Sequence, residues 1–181
     1  MQLVNVEAIL TTERLLLEPL EIKHAIALFP ILQAKQIYSY IPQNPPTSLE
    51  ALEQRYQKLA TRLSPDGQEA WLNWAVYHQE RQTYIGRIEA TVGTNRSCQI
   101  AYMFAPQFWG QGYATESCTK VIIELKRNYS ITEIVAEVDT RNLASAKLLQ
   151  RLGFTNQETR KNADFFKGSY SDEYIYRLNN F

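Results

Sequence analysis

Gln107-Phe108-Trp109-Gly110-Gln111-Gly112-Tyr113-Ala114-Thr115 follows an apolar, strand-like run ending at Phe104 and opens a stretch with helical periodicity. Glycines at 110 and 112 let the backbone turn tightly and come close to a ligand. Successive amide N–H groups at a helix start form a concavity of partial positive charge that suits a pyrophosphate. Neither the lysine of a P-loop nor a GxGxxG accompanies it, so nucleoside triphosphates and dinucleotides lose ground. Two glycines in a loop also make an ordinary turn, so the meaning of the segment rests on its surroundings.

Upstream, residues 71–78, 83–92 and 98–104 are strand-like runs separated by polar turns, and they read as an antiparallel meander. Downstream, 112–127 puts Ala114, Cys118, Val121, Ile122 and Leu125 on one helical face, and 133–138 is a further β run. Residues 142–152 read as a helix closed by Gly153, and 154–178 as two strands around an aromatic loop. Ahead of the meander, Leu15, Leu16, Leu17 and Leu20 form a first strand ending near Pro19, and 21–35 look helical with a break at Pro30. After a proline-rich loop at 42–46, Thr47 and Glu50 form a capping box for an amphipathic helix over 47–63. The expected fold is a mixed α+β sheet around one βαβ crossover, in one domain spanning 1–181.

Lys+Arg and Asp+Glu each number 19, so no global basic field points to nucleic acid. Cys98 and Cys118 lie far apart, with no CxxC and no histidine at metal-ligand spacing, so neither a metal site nor a redox pair is indicated. Residues 1–10 lack a basic start followed by a long apolar run, and no stretch approaches a membrane span. Cytoplasmic residence and no membrane partner are the expectations. His24 and His78 have no partners nearby in the sequence, and Trp71, Trp74 and Tyr77 read as core or groove wall.

In this setting the segment resembles the acetyl-CoA signature Q/R-x-x-G-x-G/A of the GNAT acetyltransferase superfamily, matched at Gln107, Gly110 and Gly112. Residues 109–116 look closest to the branch that includes ribosomal-protein alanine N-acetyltransferases. A second segment agrees: Asp139-Thr140-Arg141-Asn142-Leu143-Ala144-Ser145, with Leu152-Gly153-Phe154 closing the helix. The resemblance spans about residues 12–178. It implies a GNAT-type sheet with helices on both faces, whose fourth and fifth strands splay apart at a bulge to admit acetyl-CoA. By the same analogy Met103 and Phe104 offer backbone groups to pantetheine, and the backbone of Gly110, Gln111, Gly112, Tyr113, Ala114 and Thr115 holds the pyrophosphate. Asn142 would contact the pantetheine arm, with Lys147 beside the CoA phosphates.

Attack of an amine on a thioester requires removal of an ammonium proton, stabilisation of an oxyanion and protonation of the leaving thiolate. Strand alternation places Glu137 and Glu89 on faces that can look into a substrate groove, with Asp164 in the late loop as a third candidate; against this, each also suits a solvent-facing residue on a half-covered sheet. Many relatives carry an acid tyrosine where this chain has Leu149, which leaves Ser145 as the next polar hydroxyl on that helix. The aromatic residues from Phe165 to Tyr170 could border the acceptor pocket.

The expected activity is direct acetyl transfer from acetyl-CoA to a primary amine, without a metal, by a monomer or homodimer. The amine is a peptide N-terminus or a small amine. The rival reading is a non-catalytic acyl-CoA-binding regulatory protein.

Overall fold

Alternation along the central strands decides which side chains meet which helices. Ala75, Arg87 and Met103 sit side by side across three neighbouring strands, and Trp74, Ile88 and Tyr102 do the same on the opposite face. The computed structural model describes residues 8–179. Its strands are β1 (Leu10–Thr11), β2 (Leu15–Pro19), β3 (Glu69–His78), β4 (Thr83–Gly93), β5 (Ser97–Phe104), β6 (Glu133–Asp139), β7 (Thr155–Phe166) and β8 (Ser169–Asn179). They form one sheet in the order β1-β2-β3-β4-β5-β6-β8-β7, in which only β5 and β6 pair in parallel. The helices are α1 (Ala25–Leu28), α2 (Leu49–Leu59), α3 (Tyr113–Tyr129) and α4 (Leu143–Arg151).

Each face of the sheet buries its own core. On one side Leu20, Leu28, Leu32, Leu52, Tyr56 and Ala75 pack around α1 and α2. On the other, Ile88, Ile100, Cys118, Val121, Leu125 and Leu149 pack under α3 and α4. Helices therefore cover both faces, as the resemblance implied.

Several boundaries differ from the sequence reading. The long first helix is a single α turn, preceded by a 3-10 turn at Ile22–His24 and followed beyond Pro30 by two more, Ile31–Gln33 and Lys35–Tyr38. The capping box at Thr47 and Glu50 does not form: Ser48 is the N-cap, and its hydroxyl accepts from the Ala51 N–H at 3.1 Å. α2 stops at Leu59 because Arg62 turns into the left-handed region, φ 64°, and its guanidinium donates to the Leu20 carbonyl at 2.8 Å. The expectation about the opening segment falls on residues 1–7, outside the described residues.

The splay is present. Once the short β1 is counted, the expected fourth and fifth strands are β5 and β6. They pair only at Ser97↔Glu133, Cys98↔Ile134 and Gln99↔Val135. Beyond Gln99 each stays paired on its outer edge, β5 with β4 as far as Phe104 and β6 with β8 as far as Asp139, while their facing edges part. The expected bulge lies elsewhere. The register of β4 with β5 is continuous, and the irregularity falls between β3 and β4, where Ile85 is the extra residue. Gly86 follows it, and a Cβ there would sit 2.3 Å from the Met103 carbonyl oxygen, so only glycine allows β4 and β5 to approach so closely.

Candidate functional site

The loop after β5 turns through Gly110 and Gly112, both at positive φ (71° and 85°), and Gly112 is the N-cap of α3. No side chain caps this helix, and the first backbone donor spent on the loop is the Glu116 N–H, which bonds the Gly112 carbonyl. The N–H groups of Tyr113, Ala114 and Thr115 have no partner within the helix, which is the geometry of an anion nest. Nothing would stand within 4 Å of a Cβ at Gly110.

Side chains brace this loop from several directions. The Trp109 indole N–H donates to the Phe104 carbonyl at 2.7 Å, and Gln111 Nε2 to the Gln107 carbonyl at 2.8 Å. Arg14 donates to the Gln111 carbonyl, covers the Tyr113 ring at 4.4 Å and pairs with Glu116 at 2.7 Å. Glu116 also accepts from the Thr12 hydroxyl and the Arg14 N–H. Partial burial works against its charge, but these bonds together hold the carboxyl below its usual range. The Tyr113 side chain is not free for a ligand, because His78 Nε2, whose partner nitrogen accepts from Arg81 N–H, donates to its hydroxyl at 2.9 Å. Arg81 lies over the Phe108 ring and reaches Gln111. The roles of Arg14, His78 and Arg81 escaped the sequence reading because these residues lie just before β2, at the end of β3 and in the β3–β4 turn, far from the motif.

Across the splay, Asn142 caps α4, its side-chain oxygen accepting from the Ser145 N–H at 3.2 Å. Lys147 is exposed on the same helix, and Leu149 is buried in the core. Tyr102, on the diverging part of β5, has a buried hydroxyl without a hydrogen-bond partner. Burial pushes this phenol well above its ordinary range, and the neighbouring Ser145 hydroxyl pulls it partly back. An anion nest, two strands with facing edges unpaired and an orphaned hydroxyl between α3 and α4 fit a long, polar thioester such as acetyl-CoA.

The candidate bases are placed differently from one another. Glu137 lies exposed, accepts from Gln99 and pairs with Arg160 at 3.1 Å. Glu89 pairs with Arg87 at 2.6 Å. Asp164 is beside the β7–β8 turn, where its carboxylate accepts from the Phe165 N–H. The sequence reading missed Glu173, which faces Asp139 across β6 and β8 at the open end of the splay. Burial, then the charges of Glu137 and Asp164, hold its carboxyl above the usual range. Asp139 behaves in the opposite way: burial is outweighed by the paired Arg141, and its carboxyl is lowered.

A cavity of about 230 Å³ opens on the α1/α2 side, lined among others by Tyr38, Leu52, Arg55, Tyr56, Arg87 and Met103. Met103 belongs to β5, so this cavity reaches the splaying strand. The β7–β8 turn, Lys167-Gly168, closes in from the other flank, where Lys167 Nζ donates to the carbonyls of Tyr38 and Ile41. Phe165 and Tyr170, expected near the acceptor, are exposed beside this turn and pack edge to face on each other. Cys98 and Cys118 are buried in the core on the other side.

The sequence model for the acetyltransferase (GNAT) domain matches residues 14–155, most of the chain. The protein belongs to the GNAT acetyltransferase family. A relative of this acetyltransferase is the uncharacterized N-acetyltransferase YoaA of Bacillus subtilis (strain 168), 25% identical over 172 residues that cover 94% of this chain and 96% of the relative. A solved RimL ribosomal L7/L12 alpha-N-protein acetyltransferase in complex with coenzyme A has TM-score 0.85 at 22% identity, covering 95% of this chain and 98% of that one. The ribosomal-protein-S5-alanine acetyltransferase from Vibrio fischeri has TM-score 0.83 at 18% identity, covering 96% and 97%. These neighbours establish the GNAT fold of the acetyltransferase and place ribosomal-protein enzymes among the proteins it resembles. Among the described residues no helix is long and apolar enough to cross a membrane.

Proposed function

We propose that this acetyltransferase moves the acetyl group of acetyl-CoA directly to a primary amine. The observation that carries this reading is the parting of β5 from β6 just ahead of the anion nest, with a separate cavity reaching Met103 from the opposite face. The thioester supplies an activated acyl carbon and a thiolate leaving group. The nest N–H groups from Gly110 to Thr115 hold the pyrophosphate, the unpaired edge of β5 at Met103 and Phe104 and the side chain of Asn142 hold the pantetheine, and Lys147 supplies charge near the phosphates.

A half-buried carboxyl with a raised pKa and no partner among the described residues suits a general base better than one held by an arginine. Glu173 therefore takes the ammonium proton ahead of Glu137 and Glu89. Ser145, next to Tyr102, relays a proton from water to the leaving thiolate. Neither cysteine fits a covalent route: both are buried, and desolvation pushes the Cys98 thiol up to about 12.

Similarity to ribosomal-protein N-acetyltransferases supports a protein N-terminal amine as acceptor. The small volume of the cavity favours a compact amine as the second reading. An acceptor screen that reads free thiol released from acetyl-CoA tests the proposal. CoA binding with no acceptor-dependent thiol release would turn the reading to a non-catalytic acyl-CoA-binding protein.

A further inference from the structure

The charged side chains that line the α1/α2 cavity are both guanidiniums, Arg55 and Arg87. Arg87 enters it from β4 with its side chain only 6% exposed. Its Nη1 is matched by Glu89 at 2.6 Å, but its Nη2 meets only the Met103 sulfur at 3.7 Å, a weak acceptor. Tyr56 is fully buried, and its hydroxyl, on the same lining, has no hydrogen-bond partner. Arg55, one residue earlier on α2, is exposed at the rim and has no ion pair among the described residues. Burial raises the Tyr56 phenol to about 12 while Arg87 and Arg55 both pull it down, so both guanidiniums act on this hydroxyl and it remains a donor at neutral pH.

The charges around the cavity do not cancel. Two guanidiniums face one carboxylate, Glu89, and no carboxylate belongs to the lining itself. A bare ammonium gains nothing there. Buried donors left unmatched are costly, and Arg87 Nη2 with the Tyr56 hydroxyl complements an anion. At about 230 Å³ the cavity holds the equivalent of roughly eight waters, enough for one amino-acid-sized group.

We propose that the acceptor is an amine that also carries a carboxylate, gripped by Arg87 and Tyr56 with Arg55 steering it at the rim. This rests on the acetyl-transfer reading above and narrows it to a substrate class. The carboxylate comes either from a free amino acid or from an acidic side chain at a peptide N-terminus.

Matched acceptors distinguish the two sources: free amino acids against their carboxamides, and C-terminally capped peptides beginning with Asp or Glu against those beginning with Asn or Gln. Thiol release from acetyl-CoA should give the carboxylate member of one series an advantage in kcat/KM of about tenfold or more, the scale of one charge-assisted hydrogen bond. Tyr56→Phe removes one unpartnered oxygen and leaves the fold intact, and Arg55→Gln changes an exposed side chain. Both should raise KM for the carboxylate acceptor and narrow that advantage, and Arg87→Gln should do so more strongly. Equal rates for carboxylate and carboxamide members in both series, with turnover present, would overturn the inference and leave the acetyltransferase reading standing. Absence of thiol release with every amine would instead overturn the acetyl-transfer reading.

Discussion

The nest and the α1/α2 cavity, proposed above to receive the acceptor, lie on opposite sides of β5 and are built in opposite ways. Around the nest the ligand-facing groups are backbone amides, and the side chains nearby are committed to one another: Glu116 to Thr12 and Arg14, His78 to Tyr113, Trp109 to the Phe104 carbonyl. In the cavity the side chains themselves face the ligand, and Tyr56 and Arg55 are left unmatched. A site made of backbone needs its scaffold locked so that the amides stay aligned. A site made of side chains keeps its hydrogen-bonding capacity for the molecule it receives.

The sharpest way to break this comparison is at Gly112. Valine there must adopt φ near 85° with a branched Cβ, 3.4 Å from Arg14 Nη2, at the turn that creates the nest. CoA binding by isothermal titration should be lost, and unchanged binding by a folded Gly112→Val protein would show that the nest does not hold the ligand.

Next in size is the base. Glu173→Gln should lower kcat by about a hundredfold, the usual scale for a positioned general base, while Glu137→Gln should cost only a few fold because Arg160 already occupies that carboxylate. The wild-type rate should fall as pH drops through the raised Glu173 value, since protonation removes the base, and the deficit of Glu173→Gln should shrink at high pH, where more amine is neutral. Wild-type turnover in Glu173→Gln across the pH profile would return the role to Glu89 or Glu137.

A smaller effect tests the locked scaffold. The Glu116 carboxyl is depressed in the folded protein, so its contribution is fully present above the unfolded value near 4.5 and is lost as pH falls through the lower folded value. Glu116→Gln should reduce stability by about 1 to 2 kcal/mol at pH 7 and show less further loss between pH 5 and 3 in thermal melts. The smallest change concerns α2, which walls the cavity. Ser48→Ala should cost about 1 kcal/mol with CoA affinity unchanged, whereas Thr47→Ala should cost almost nothing; equal costs would move the cap back toward Thr47.

What the sequence revealed follows the range of the interactions. The turn at Gly110 and Gly112, the helix after it and the Asn142 cap are set by neighbouring residues, and they were legible. The cap of α2 was misplaced by one position because Thr47 and Ser48 both satisfy a short-range rule and only the backbone chooses between them. The splay relates two strands separated by the whole of α3, and no pattern within either strand encodes it; it was reached through resemblance alone. Neither Tyr56, at an apolar spacing on α2, nor Arg87, within β4, carries a local signal of a site. Their convergence, and the partners of His24 on Glu18 and of His78 on Tyr113, depend on contacts between distant segments.

The contact of Lys167 with Tyr38 and Ile41 joins positions 129 and 126 residues apart. A ribosome delivers the chain from the N-terminus, so the elements of the nest, from β2 to α3, are all outside the exit tunnel before the β7–β8 turn that clasps the flank of the cavity. The growing polypeptide thus has the parts of the nest well before the flank of the cavity can be closed, because that contact forms only when the β7–β8 hairpin folds back onto the segment at Tyr38 and Ile41.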